Sequence, residues 1–362
     1  MKIFKIAVIP GDGIGPEVIN EGIKVLKEIN RIDNSFKLDF TYFPWGCEYY
    51  LKTGKMMEED GLDILKTYDA ILLGAIGYPT VKDYISLREL LLKIRVGMNE
   101  YINLRPVKLF KGVSTILKDK TSDDIDFVVV RENSEGEYSG IGNWYNKGTK
   151  DEYVYQTGKF TRIGIERCIR YAFDLARTRK VKKVTSITKS NALNYSMVLW
   201  DQIFDEVRLE YPDIETNKMM VDAASMMFVM HPEKFSVVVA SNLFGDILTD
   251  LGAAIAGGIG MASGDNINPE REYPSMFEAI HGSAPDIAGK NIANPIATIL
   301  SAASMLKHLG YEKYHDLIRN AIENVLSEGS VKTFDLGGNS STVEMGDAII
   351  NNIKKIIINY WN

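Results

Sequence analysis

Asp246 and Asp250 stand four residues apart in SNLFGDILTD (241–250), directly after FSVVVA (235–240), an apolar, β-branched run that reads as a buried strand. If a helix follows that strand, four residues rotate the chain by about 400° and leave both carboxylates on one side, about 5–6 Å apart. The helix dipole favours one anion near a helix N-terminus, but a second anion beside it needs a cation. A hard divalent ion, Mg2+ or Mn2+, held by oxygens and sharing its shell with a substrate, meets that need. A capping aspartate followed by a solvated one has the same spacing, so the rest of the chain must decide.

Other chemistry-bearing residues sit at the ends of expected elements. Arg95, Arg105 and Arg131 each close such an element. Singly they read as surface ion-pair partners; together they suggest a carboxylate clamp, because a planar guanidinium binds a carboxylate through two parallel hydrogen bonds. Glu135 and Tyr138 follow, a candidate acid beside the clamp, although a tyrosine more often packs than protonates. Lys189 ends VKKVTSITK (181–189), after which SNAL reads as a helix start. Beside a metal and other cations Lys189 would be a general base of depressed pKa; otherwise it is a solvated turn residue. Asp222 lies in MMVDAASMMFV, where a charge among apolar residues requires a partner, and the methionines around it read as core. In FEAIHGSAPDIAGKNIANP (277–295), His281 and Asp286 are placed to hold an adenosine, with Asp286 accepting from a ribose hydroxyl; a well-ordered turn-rich loop is the plainer alternative.

The elements that must position these groups read as α/β. IFKIAVI (3–9) is a strand, and PGDGIGPEV turns it into a helix with Pro16 at its first position. The glycines at 11, 13 and 15 are spaced GxGxG rather than GxGxxG, which excludes an ordinary Rossmann fingerprint. KLDFTYF and DAILLGAIG (69–77) continue the strand–helix alternation of a largely parallel sheet. SLRELLLKIR reads as one helix opened by a Ser86–Glu89 capping box. Leu87, Leu90, Leu91 and Ile94 form its buried stripe, and Arg88, Leu92 and Arg95 a neighbouring face. Three helices are expected in the tail, at 299–309, 314–327 and near 345–358.

With 362 residues the chain has room for two domains, and a net charge of −6 gives no electrostatic case for a nucleic acid or an anionic membrane. Cys47 and Cys168 have no metal or redox spacing and are expected as free, partly buried thiols. The N-terminus reads as a strand rather than a signal peptide, and no run approaches the ~20 apolar residues of a membrane span. A cytoplasmic location is expected.

Taken together, PGDGIGPEV, LLKIR…NLRP, VVVRENSEGEY, TKSNAL, SNLFGDILTDL and HGSAPDIAGKNIANP, in that order, resemble the β-decarboxylating dehydrogenases, the family of isocitrate, 3-isopropylmalate and tartrate/D-malate dehydrogenases. The resemblance implies an isocitrate/isopropylmalate dehydrogenase-like two-domain α/β fold, not an ordinary Rossmann domain. Residues 1–103 and 261–362 would form a large NAD-binding domain with a largely parallel sheet, and 104–260 a small dimerisation domain. It implies a homodimer, or a higher assembly, whose active sites lie in the cleft and are shared, Lys189 and Asp222 serving the partner's site. Arg95, Arg105 and Arg131 would grip the carboxylate of a small 2-hydroxy diacid. Asp222, Asp246 and Asp250 would hold Mg2+ or Mn2+, Lys189 would promote loss of the hydroxyl proton, and Tyr138 would protonate the enol carbon. The cofactor would lie on His281, Gly282, Ser283, Ala284, Asp286, Ile287 and Asn294. Asp286–Ile287 matches the NAD-using members, since a carboxylate there repels the 2′-phosphate of NADP.

The substrate is expected from the tartrate/D-malate branch, which GAIGYPTVKDYISL and NPEREYPSMFE resemble most. Arg88-Glu89-Leu90 departs from that branch, which usually has Trp-Gly-Ser there. Arg88, about two turns before Arg95 on one face, would suit an extra carboxylate at C3, and Leu91 with Leu92 an isopropyl group. D-malate or tartrate therefore leads, ahead of 3-isopropylmalate and then isocitrate or homoisocitrate. A non-catalytic subunit of the same fold is the alternative from another class.

Overall fold

The computed structural model describes residues 1–361. Its strands are β1 (Lys2–Gly11), β2 (Phe36–Tyr42), β3 (Ala70–Ala75), β4 (Ile102–Lys108), β5 (Asp126–Glu132), β6 (Gly136–Tyr145), β7 (Tyr153–Lys159), β8 (Lys183–Thr188), β9 (Glu215–Met220), β10 (Val237–Ala240), β11 (Ser263–Ile267) and β12 (Ser275–Ala279). The helices are α1 (Gly15–Ile32), α2 (Cys47–Thr53), α3 (Gly61–Leu65), α4 (Asp83–Ser86), α5 (Leu92–Gly97), α6 (Arg162–Thr178), α7 (Ser196–Val207), α8 (Val221–Met230), α9 (Asn242–Ile255), α10 (Ile296–His308), α11 (Glu312–Glu328) and α12 (Thr342–Trp361).

The chain forms two compact units. The first comprises Met1–Glu100, Lys108–Ser122 and Ala253–Asn362, the second Tyr101–Val107 and Asp123–Gly252. These bounds differ from the expected ones chiefly at 108–122 and 253–260. The reason is local: Phe110 packs in the core of the first unit, and Thr115 Oγ1 donates to Ile255 O at 2.6 Å.

In the first unit the strand order is β2-β1-β3-β12-β11. Every pairing is parallel except β11 with β12. β3 is buried at all six positions, the pattern of a strand covered on both faces. One face packs on α1, α10, α11 and α12, the other on Trp45, Met56, Met57, Leu90 and Ile94. In the second unit the order is β4-β5-β10-β8-β9, with β5, β10, β8 and β9 mutually parallel, and β6 with β7 forms a separate antiparallel hairpin.

The first helices of the substrate segment depart from expectation. Ser86 is not an N-cap: it is helical, its Oγ donates to Asp83 O at 3.0 Å, and the helix starts a turn earlier. The next turn, Leu87–Leu91, is a π-helix, closed by the Leu92 N–H bonding Leu87 O. The wider turn breaks the expected stripe, so Leu90 and Ile94 are buried while Leu87 is exposed. On the same segment Arg88 is exposed, Arg95 buried, and Leu91 and Leu92 half-buried.

SNAL does not open a helix; 190–195 is a turn and α7 begins at Ser196. Both cysteines are free, and both are fully rather than partly buried. Among the described residues no helix is long and apolar enough to cross a membrane.

Candidate active site

In the second unit a cluster gathers around Asp246. β10 ends in Ala240 and α9 starts two residues later, which brings Asn242, Asp246, Thr249 and Asp250 to successive turns of one helix. β5 carries Arg131, β4 Arg105, and β6 Tyr138. Arg131 is buried, so its donors need acceptors. Nε and Nη2 donate to Asn242 Oδ1 at 3.0 and 2.7 Å, and Nη1 to Asp246 Oδ1 at 2.5 Å. The other Asp246 oxygen accepts from the Tyr138 hydroxyl at 2.7 Å. Arg105 donates to Asn103 Oδ1 at 2.6 Å and Thr249 Oγ1 at 2.7 Å, and reaches Asp246 at 3.5 Å and Asp250 at 4.0 Å. A glycine at 245 is required for this arrangement, because a Cβ there would lie 2.6 Å from Arg131 Cγ.

The electrostatics follow from burial. Tyr138 is pushed up to about 12, first by burial and then by its bond to Asp246, so it stays a proton donor at neutral pH. Burial also raises Asp250, since the attraction of Arg105 there outweighs the repulsion of Asp246. Two carboxylates one turn apart, one of them 64% exposed at the side chain, offer hard oxygen donors. That donor chemistry fits a hard divalent cation. Among the described residues no group of three His, Cys, Asp or Glu side chains is placed to hold a metal ion.

Asp222 is not with Asp246 and Asp250. It lies at the start of α8, exposed rather than buried, and pairs with Lys189 at 2.8 Å, which holds its carboxyl below the usual range. The methionines beside it are not core either: Met226 and Met230 are exposed, as are Tyr195 and Val229. Glu135 is not beside the arginines; it caps the start of α6 through the Thr161 N–H at 2.7 Å and hydroxyl at 2.6 Å.

In the first unit Arg95 is buried against Glu278, with Nη2 to Oε1 at 2.8 Å, and Asn266 Nδ2 donates to the same oxygen at 2.8 Å. Arg95 Nε has no hydrogen-bond partner among the described residues. Burial holds the neighbouring Glu100 carboxyl well above the usual range.

Residues 280–295 form the expected loop after β12. His281 is buried, with Nδ1 3.0 Å from Gly282 O and Nε2 without a partner among the described residues, and burial lowers its pKa. Gly282 and Asp286 are exposed, Ser283 is buried, and Ala284 with Ile287 packs on Ile14 and Val18. Asn294 Nδ2 donates to Asp335 at 2.9 Å, while its Oδ1 accepts from the Ile296 N–H at 3.0 Å and so starts α10. The glycine turn after β1 is filled by protein: a Cβ on Gly13 would sit 2.0 Å from Ser283 O, and one on Gly11 2.1 Å from Ala75 O. Asp12 is buried there, accepting from the N–H groups of Cys47 at 2.8 Å and Gly77 at 3.0 Å.

Residues 5–349 match the isocitrate/isopropylmalate dehydrogenase family. The chain belongs to that family. It is 51% identical over 361 residues to a tartrate dehydrogenase/decarboxylase of Pseudomonas putida, covering 98% of each chain. It is 52% identical over 356 residues to a D-malate dehydrogenase [decarboxylating] of Escherichia coli, covering 96% of this chain and 98% of that one. Its fold is similar to the crystal structure of isocitrate dehydrogenase from Methylococcus capsulatus, with a TM-score of 0.87, 38% identity and coverage of 97% and 99%. For this family member, sequence reasoning missed Asn242, Thr249 and Glu278, the residues that orient the arginines. Asn242, at the strand-to-helix junction, carried a signal as an N-terminal asparagine; Glu278 carried none, since its partner is 183 residues away in sequence.

Proposed function

We propose that the protein catalyses NAD-dependent, divalent-metal-dependent oxidative decarboxylation of a D-malate-type 2-hydroxy diacid, converting D-malate to pyruvate and CO2, tartrate by the same chemistry, or both. The observation that carries this reading is the Asp246 carboxylate, shared by Arg131 and Tyr138 with Asp250 one turn on. It sets anion-binding donors, cation-binding oxygens and a proton donor side by side, as a metal-chelating diacid requires. The named activities of the two relatives at about half identity support it.

In this reading Arg95, Arg105 and Arg131 bind and orient the diacid's carboxylates. Asp246 and Asp250, joined by Asp222 from a second copy, would hold Mg2+ or Mn2+. NAD, on His281, Gly282, Ser283, Ala284, Asp286, Ile287 and Asn294, would accept hydride from C2, and the cation would stabilise the charge that develops as CO2 leaves. Lys189, also from a second copy, takes the hydroxyl proton. Tyr138, kept protonated, returns a proton to the enol carbon, so the C–C bond electrons end in a new C–H bond. A homodimer is supported by the exposed apolar residues that flank the Lys189–Asp222 pair, because such a patch on one chain marks a surface meant to be covered. The first unit is then the nucleotide domain, the second the dimerisation domain, and the setting cytoplasmic.

Half-buried Leu91 and Leu92 favour 3-isopropylmalate as the second reading. NADH formation with Mn2+ across D-malate, both tartrate isomers, 3-isopropylmalate, isocitrate and homoisocitrate separates the two. A lead for D-malate or tartrate supports the proposal and a lead for a C3-substituted acid replaces it. No turnover with NAD or NADP would leave a non-catalytic subunit.

A further inference from the structure

Glu17, in the first turn of α1, is half-buried and faces the loop after β12. An acid at that place is favoured by its own helix dipole, yet both of its oxygens are spent elsewhere. Oε1 accepts from the Gly289 N–H, and Oε2 from the Asn291 N–H at 3.1 Å. Gly289 and Asn291 both have left-handed backbones, with φ of 75° and 55°, a geometry that turns nearby N–H groups towards one anion. The concavity that would cradle a free anion is thus filled by a side chain from the other end of the sequence.

Two further ties hold the same loop. The Ile14 N–H donates to Ser283 O at 2.8 Å, under the closely approached Gly13, and the Thr342 N–H donates to Asn291 O at 3.0 Å. Between the ties Ala284 is held at a φ of 39°, and Ala284, Ile287 and Ala288 pack on Ile14, Val18 and Ala293. Asp286 rides on this short span, exposed. Its position is set by where the span is fastened.

We propose that Glu17 is a positioning residue for the cofactor loop: through the amides of Gly289 and Asn291 it fixes the place of Asp286, and with it the affinity for the ribose end of a dinucleotide. This rests on the reading that residues 281–294 bind NAD. A carboxylate is needed because two N–H donors converge on it; a glutamine offers one acceptor oxygen and turns an N–H donor on the second amide.

The test compares wild type, Glu17→Ala and Glu17→Gln for NADH binding by fluorescence titration and for steady-state kinetics with D-malate. Loss of two charge-assisted bonds that order a binding loop should raise the NADH Kd and the KM for NAD by about 10- to 100-fold in the alanine variant. The glutamine variant should fall between. The KM for D-malate should stay within about twofold, a split that general destabilisation does not give. Amide exchange at Gly289 and Asn291 should quicken in Glu17→Gln, which keeps the side chain's size if the alanine variant folds poorly. Unchanged NADH affinity, or unchanged exchange at both amides, overturns the role of Glu17 and leaves the NAD reading intact. Wild type that binds neither NADH nor NADPH overturns both.

Discussion

At the scale of single residues the cluster around Asp246 behaves as one object. Asp246→Asn keeps the shape but removes the charge that Arg131 and Tyr138 share, and turnover should fall by about 10²–10³ or more. Thermal unfolding should move by only a few degrees; near-normal kcat would end the metal-site reading. Gly245→Ala is a subtler probe. It would favour the helix by about 1 kcal/mol in an open setting, but here the added methyl meets Arg131 Cγ at 2.6 Å. Its expected result is lower kcat/KM together with lower stability. Helix period put Asp246 and Asp250 on one side of a helix, but the grouping of Arg105, Arg131 and Tyr138 around them was legible only through the family resemblance, because each comes from a different strand. Asn242 orienting Arg131, and Glu278 holding Arg95, were not legible, because those pairings are set by tertiary packing. Asp222 shows the converse: its surroundings read as apolar, and in one chain they are exposed.

At the scale of elements the β-branched runs announced their strands, and the tail helices fell where the apolar period put them. The substrate segment did not, since a single π turn is invisible to a 3.6-residue pattern. Because Arg88 is exposed and D-malate has no substituent at C3 for it to meet, Arg88→Ala should change kcat/KM for D-malate by less than about threefold. A large loss in the substrate panel would place Arg88 on the acid after all. Leu90, fully buried at the same turn, should cost about 2–5 kcal/mol as alanine in denaturant unfolding. β11 and α10 carry a pair of opposed titrations. Burial lowers His308 to about 4, so the unfolded chain binds its proton first and this group's contribution to stability is lost as pH falls from 6.5 towards 4. Burial raises Asp265 to about 7, so its contribution is present at low pH and lost as pH rises from 3.8 towards 7. The two slopes oppose each other across the acid range. His308→Asn should therefore lose less stability than wild type on acidification from pH 6.5 to 4, and Asp265→Asn more, as read by urea midpoints.

At the scale of the whole molecule, the Lys189–Asp222 pair stands apart from the Asp246 cluster within the second unit, which gives the shared-site proposal a direct trial. Mixing inactive Lys189→Ala and Asp250→Asn proteins should restore part of the activity through hybrid dimers. Complete failure, with subunit exchange shown by mass spectrometry, would argue that each chain works alone. The first unit carries another consequence, in the order of synthesis. β3 is flanked by β1 and β12, yet β12 is made long after it. Residues 76–274 must emerge in between, which takes roughly 10–40 s at about 5–20 residues per second. Throughout that interval β3 presents an unpaired, wholly apolar edge, while every strand of the second unit is complete by Gly252. On the ribosome, then, the chain's middle can close before its beginning, and the first hundred residues are those that most need shelter from their neighbours.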